Sequence, residues 1–176
     1  QVEASRIGFY KNYTRSSPIQ DDDRVAFKLN GRKVNAIRHF VDIGTLLVLT
    51  SGSEWVVHGD AAGSLTPTTI NARQETSNGA AKIQPITIDK KALYIQARGS
   101  KVRSIGYNID ADGFTGSDLT IFSPDLFNGY TIIDWCYQQE PYSIVWIVRS
   151  DGILLSLTWV PEQNVWAWAE HPRKNA

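Results

Sequence analysis

Apolar residues along this chain alternate with polar ones or run in short β-branched stretches. Nowhere do they recur with the 3.6-residue spacing of a long amphipathic helix. The clearest pattern lies between Tyr130 and His171, where four strands are predicted: Ile132–Gln138, Ser143–Ser150, Ile153–Val160 and Val165–Glu170. Turn chemistry separates them. Gln139-Glu140-Pro141-Tyr142 contains a proline, which cannot donate to a ladder. Asp151-Gly152 is a hairpin signal, read as a two-residue type I′ loop because glycine supplies positive φ. Pro161-Glu162-Gln163-Asn164 closes the last hairpin. A meander of four strands in about 40 residues has the size and order of a propeller blade.

Two earlier groups follow a similar plan. Val34–Asp42, Thr45–Thr50 and Glu54–His58 form one, with Leu65–Gln74 as a candidate fourth edge strand. Lys82–Ile88, Ala92–Ala97 and Lys101–Asn108 form the next, separated by Asp89-Lys90-Lys91 and Arg98-Gly99-Ser100. Their cores, Leu46-Leu47-Val48-Leu49, Leu93-Tyr94-Ile95 and Ile144-Val145-Trp146-Ile147, recur roughly every 50 residues, near the propeller repeat. The expected blade-like units are 34–75, 82–109 and 130–171. Val25–Leu29 is a short strand after a loop. Asp110–Asp118 reads as a connection. Ser123–Asn128 reads as one helical turn, Ser123 being the N-cap before Pro124. The predicted fold is one all-β domain of antiparallel meanders, about three propeller-like blades, with a β-sandwich as the alternative. Three blades do not close a ring of the usual 4–8, so an incomplete propeller is expected.

Composition narrows the function classes. The 18 basic and 18 acidic residues cancel, so the chain lacks the clustered charge of a general phosphate binder. Cys136 is the only cysteine and no internal disulfide can form; its place between Trp135 and Tyr137 predicts a buried structural thiol. No stretch approaches the ~18 consecutive apolar residues of a membrane span, and a soluble protein is expected. Methionine is absent even at position 1, which suggests a piece of a longer protein.

Few residues point to chemistry. Asn108-Ile109-Asp110-Ala111-Asp112-Gly113 mimics the first half of a calcium loop and makes Asp110 and Asp112 candidate ligands, but Leu119 stands where the bidentate acid belongs; a turn with Asx hydrogen bonds is the favoured reading. His39, His58 and His171 fall in different groups, without metal spacing, and no G-x-S-x-G elbow accompanies them. Glu54, Asp134, Glu140 and Glu170 single out no glycosidase pair. Trp166 and Trp168 share one strand face beside Trp159. They read as core packing, or as an exposed face for sugar or protein. Arg24, Lys28, Arg32, Lys33 and Arg38 form a basic stretch next to the acidic Gln20–Asp23 loop. They read as a solvated face, or, if Arg32, Lys33 and Arg38 line a channel, as contacts to DNA phosphates without base readout. Asn12-Tyr13-Thr14 is a glycosylation sequon by pattern only.

A series of short motifs, in order, resembles the nozzle-type tail and head–tail stabilisation proteins of short-tailed bacteriophages. The series begins with Ser5-Arg6-Ile7-Gly8-Phe9-Tyr10, Ser17-Pro18-Ile19-Gln20-Asp21-Asp22-Asp23 and Val34-Asn35-Ala36-Ile37-Arg38. It continues through Leu46–Trp55 (LLVLTSGSEW), Leu65-Thr66-Pro67, Asp118-Leu119-Thr120 and Gln138-Gln139-Glu140-Pro141. Arg149-Ser150-Asp151-Gly152-Ile153-Leu154 and Pro161–Trp168 (PEQNVWAW) complete it. The resemblance spans Ser5 to His171, although family members are several times longer. It implies a propeller-like, non-enzymatic virion protein without a cofactor, made in the host cytoplasm and built into a ring of subunits around the DNA exit path. Its implied partners are copies of itself and other tail or connector proteins, with non-specific DNA contact in the channel and no membrane. Candidate interface residues are Trp166, Trp168, Arg38, Asp21, Asp22 and Asp23. The other readings are a carbohydrate-binding β module and a hydrolase.

Overall fold

The alternating segments fold as antiparallel sheets in a computed structural model that describes residues 1–31, 35–163 and 165–172. Arg32, Lys33, Val34 and Asn164, named in the sequence reading, lie outside the described residues. The chain divides into two compact units, Gln1–Gly79 and Ala80–Ala176.

In the first unit β1 (Val2–Ala4) pairs with β2 (Val25–Phe27). A four-stranded meander follows in chain order: β3 (Ile37–Asp42), β4 (Leu46–Thr50), β5 (Glu54–His58) and β6 (Asn71–Thr76). Val48, Trp55 and Val57 pack on one face with Phe27, Leu29, Ile37 and Ile70, and Leu47, Leu49 and Val56 on the other are fully buried. Strands buried on both faces read as continuous apolar runs, which is why LLVL showed no alternation. The fourth strand lies later than expected: Leu65 and Pro67 precede it, and its polar sequence NARQET runs along the edge. The buried Glu54 carboxylate ties the exit of this sheet, accepting hydrogen bonds from the Thr76 hydroxyl and, at 3.2 Å, from the Asn78 amide. Gly79 then passes so close to the Ser51 carbonyl that a Cβ would collide with it, at a φ of 72° that side chains also disfavour.

The second unit holds two meanders: β7 (Ile86–Ile88), β8 (Lys91–Ile95), β9 (Val102–Asn108) and β10 (Gly113–Asp118), then β11 (Ile132–Gln138), β12 (Ile144–Arg149), β13 (Leu154–Val160) and β14 (Val165–His171). The stretch expected to be a connection, Asp110–Asp118, contributes β10, so this group also has four strands. The Asp89-Lys90 turn closes β7 onto β8 with both residues at positive φ, 47° and 59°. The Asp151-Gly152 turn departs from the type I′ expectation. Only Gly152 has positive φ; its amide donates to the Arg149 carbonyl at 2.9 Å and the Arg149 amide to Ile153 O at 3.0 Å. That is a three-residue loop ending in a left-handed glycine.

One core joins these two sheets. Leu93, Ile95 and Val102 of the first pack with Val145, Ile147, Leu155, Leu157 and Trp159 of the second. Burying each such aliphatic side chain stabilises by about 1.5–3 kcal/mol. Leu119 and Phe127, from the segment linking the sheets, complete the core. That segment contains a single 310 turn, Pro124–Leu126, which Ser123 precedes without a side-chain cap.

The meanders share local details beyond strand count. The Ser51 amide donates to Ala36 O at 2.8 Å, and the Ala36 amide donates to Ser51 Oγ at 3.1 Å. Ser150 and Thr131 repeat both bonds at 2.8 and 3.1 Å. The register shifts just after each pin, between Ile37 and His39 and between Ile132 and Asp134. In the middle sheet Ala80 bridges Gln96 at the corresponding place.

Candidate interaction surfaces

The acidic loop proves to be a fastening. Asp23 is 1% exposed. Its carboxylate accepts hydrogen bonds at 2.9 Å from the Gln20 amide, the Ser16 amide and the Ser16 hydroxyl. Arg6 donates to Asp22 at 2.6 Å and lies 3.5 Å from Asp23. The Gln20 amide bond, then those from Ser16 and the Arg6 charge, hold the Asp23 carboxyl below the usual carboxylate range against the opposing effect of burial. Asp21 and Asp22 are exposed. Of the three aspartates expected at an interface, Asp23 is therefore spent inside its own loop.

What this fastening holds in place is a surface the sequence reading overlooked. Between Ile7 and Ile19 five large apolar side chains stand in solvent: Ile7 (68% exposed), Phe9 (62%), Tyr10 (87%), Tyr13 and Ile19. Backbone bonds from Arg6 to Asn12, Phe9 to Arg6 and Asn12 to Phe9, at 2.8–3.0 Å, fold this segment into consecutive turns. Exposed aromatic side chains clustered on an ordered loop are a mark of interaction sites.

Trp166 and Trp168 lie on the covered face of their sheet. The Trp168 indole donates to Leu119 O at 2.7 Å, and Phe127 meets its ring edge-on at 4.7 Å between centroids. Phe122 stacks on Trp166 at 6.0 Å. Trp135 is buried and donates to Gln84 O at 2.6 Å, and Lys91 lies over the buried Trp159. These tryptophans fasten the last two meanders together, the core-packing reading of the sequence.

Arg149 is the other fastener, 5% exposed. It donates to Asp151, and to Leu126 O at 2.8 Å, and its guanidinium lies 3.8 Å from the Tyr130 ring centroid. The hydrogen bonds from Arg149, then that of the Ile153 amide and the Arg149 charge, hold the Asp151 carboxyl low against the opposing effect of burial. Arg38 is half-buried at the register shift of β3, and Arg24 pairs with Glu3 at 3.3 Å. Arg32 and Lys33 lie outside the described residues.

The metal candidates sit at a hairpin tip. Asn108 Oδ1 accepts from the Asp110 and Ala111 amides at 2.8 and 3.2 Å, and Asp112 Oδ1 accepts from the Tyr107 hydroxyl at 2.6 Å. The Asn108 pair are the Asx bonds of a turn; among the described residues no three His, Cys, Asp or Glu side chains gather as metal ligands. Asp118, at the far end of β10 from that tip, accepts from Lys101 at 2.8 Å and from Thr120. Burial alone would push its carboxyl up, but these bonds outweigh burial and hold it low. His171 meets the Ser156 hydroxyl at 2.9 Å and lies beside Trp146.

Cys136 corrects an expectation: its thiol is exposed, because alternation turns Trp135 inward and its neighbour outward. The same alternation leaves Val148, Ala167, Ala169 and Val165 facing solvent on the outer side of β11–β14. No described helix is long and apolar enough to cross a membrane.

No protein-family model matches this chain, and no curated protein does.

Proposed function

We propose that this chain is a non-enzymatic structural component of a bacteriophage tail or head–tail connector, with its meanders acting as propeller-like blades. It works by shape, packing against copies of itself and neighbouring tail proteins around the DNA exit path. The observation that carries the reading is the repeated pin, Ala36 to Ser51 and Thr131 to Ser150, with the register shift beside each. It supports a series of like sheets, as blades are. The ordered motifs from Ser5 to His171 supply the phage assignment. The carbohydrate reading needs tryptophan faces in solvent, and Trp135, Trp159, Trp166 and Trp168 are engaged inside their own unit.

The test is incorporation. Tailed particles produced from the gene's host are purified on a density gradient and probed with an antibody to this chain. Label at the tail is the expected result. A chain left wholly in the soluble fraction, with complete infectious particles after its deletion, overturns the assignment.

A further inference from the structure

The central strands of the three meanders differ in one respect. β4 and β5 are buried on both faces, and so are β8 and β9, where Ala92, Tyr94 and Ile105 back the shared core. On β12 and β13 the second face is covered only in part: Ser156 is buried and Trp146 and Leu154 half-buried, while Val148 and Thr158 are exposed. That face mixes apolar and neutral polar residues, with Val148, Trp146 and Leu154 toward one end, Ser156, Thr158 and His171 among them, and the small residues Ala167 and Ala169 along β14. Its charge is one-signed. Arg149 is spent on Asp151 and on Glu170, 3.9 Å away on the covered face; the other acids of residues 132–171 are Asp134, Glu140 and Glu162, with no further Lys or Arg.

The aromatic loop has the opposite character. Residues 7–19 carry Lys11 and Arg15 and no carboxylate, among the exposed Ile7, Phe9, Tyr10 and Tyr13. We infer that this loop of one copy docks on the open outer face of β11–β14 of a second copy, in a head-to-tail contact. Apolar side chains on both partners are removed from water, and Lys11 and Arg15 meet a sheet rimmed with acids. The Asp23 fastening holds the loop in shape before contact, which lowers the ordering cost of association. The two surfaces differ, so a pair keeps one free loop and one free face, and the contact can propagate from copy to copy.

Size sets the strength. Four strands ~4.8 Å apart and ~20 Å long present roughly 400 Å² in plan, about half the ~800 Å² that each partner gives to a stable complex. The association is therefore weak, and it is read at micromolar concentration and above.

This inference rests on the assembly reading for the expectation that copies meet, but it is tested apart from any particle. Sedimentation velocity is run on the whole chain from micromolar to hundreds of micromolar, alongside Tyr10→Glu and Ala167→Glu. Both positions are exposed, so both variants keep the wild-type melting curve. Wild type shows a concentration-dependent series of species that shrinks with added salt. Each variant alone stays monomeric. An equimolar mixture of the two gives a dimer that grows no further, because only one good loop and one good face remain. A wild-type chain monomeric at every concentration overturns the inference, as do variants that associate like wild type or a mixture that fails to combine. A monomer in solution leaves virion incorporation to its own test.

Discussion

Arg149 and Asp151, two residues apart, are joined by two parallel hydrogen bonds: Nε to Oδ1 at 2.9 Å and Nη2 to Oδ2 at 2.5 Å. The fork spans the turn between β12 and β13. Its Nη1 donates to Leu126 O in the linking segment, so one guanidinium fixes both the turn and that segment. Lysine cannot supply this geometry. Arg149→Lys is expected to lower the midpoint of thermal unfolding by several degrees and to expose the 119–131 segment to amide exchange. Differential scanning calorimetry and hydrogen exchange check both; an unchanged midpoint refutes the role.

Trp168 combines ring burial with one directed hydrogen bond to Leu119. Trp168→Phe keeps most of the ring and loses the bond, at an expected ~1 kcal/mol. Trp168→Ala also opens a void against Phe127, for a total of about 3 kcal/mol. Urea unfolding of the two variants gives the difference. Equal losses mean that the indole N–H contributes nothing.

Lys90 occupies the second position of a two-residue hairpin loop at a φ of 59°. Left-handed backbone costs a non-glycine residue roughly 1–2 kcal/mol. Glycine relieves that cost and loses part of the gain to its freer unfolded chain. Lys90→Gly is expected to stabilise by about 0.5–1 kcal/mol in the same urea assay. Destabilisation contradicts the assigned backbone conformation.

Asp23 has a carboxyl held low in the folded chain. A depressed value means that its contribution is complete above the unfolded-state value near ~4 and is lost as pH falls through the folded one. Below pH ~4 the Ser16 and Gln20 amides are expected to shift and exchange faster, with the Phe9–Asn12 turns loosening alongside. Asp23→Asn produces the loosened state already at neutral pH. Amide NMR titration measures this. An Asp23→Asn chain whose Ser16 and Gln20 amides exchange as slowly as those of the wild type rules out the fastening.

The last meander was legible nearly to the residue because its strands are dense in β-branched and aromatic residues and each break carries proline or glycine. β10 was not, since Gly113-Phe114-Thr115-Gly116-Ser117-Asp118 has little to bury; it is a strand because β9 offers it an unpaired edge. β6 was misplaced for the same reason. Cys136 was misjudged because its apolar neighbours suggested burial, while alternation, the stronger constraint, turned it outward. Within Asp21-Asp22-Asp23 the three side chains are chemically alike. Only the distant partners Arg6 and Ser16 separate the buried one from the others, and spacing along the chain does not reveal that. The exposed aromatic loop escaped notice because sequence marks an apolar residue without showing which ones lack a cover.

Gly79 stands at the border between the two units, pressed against the Ser51 carbonyl. Any side chain there must push apart the first sheet's pinned turn, so this is the wrong place to lengthen or tag the molecule. The Arg98-Gly99 turn, where an added methyl meets nothing within 4 Å, offers the safer point for a fluorophore or an affinity handle, provided the inserted residues restore the glycine's backbone bend.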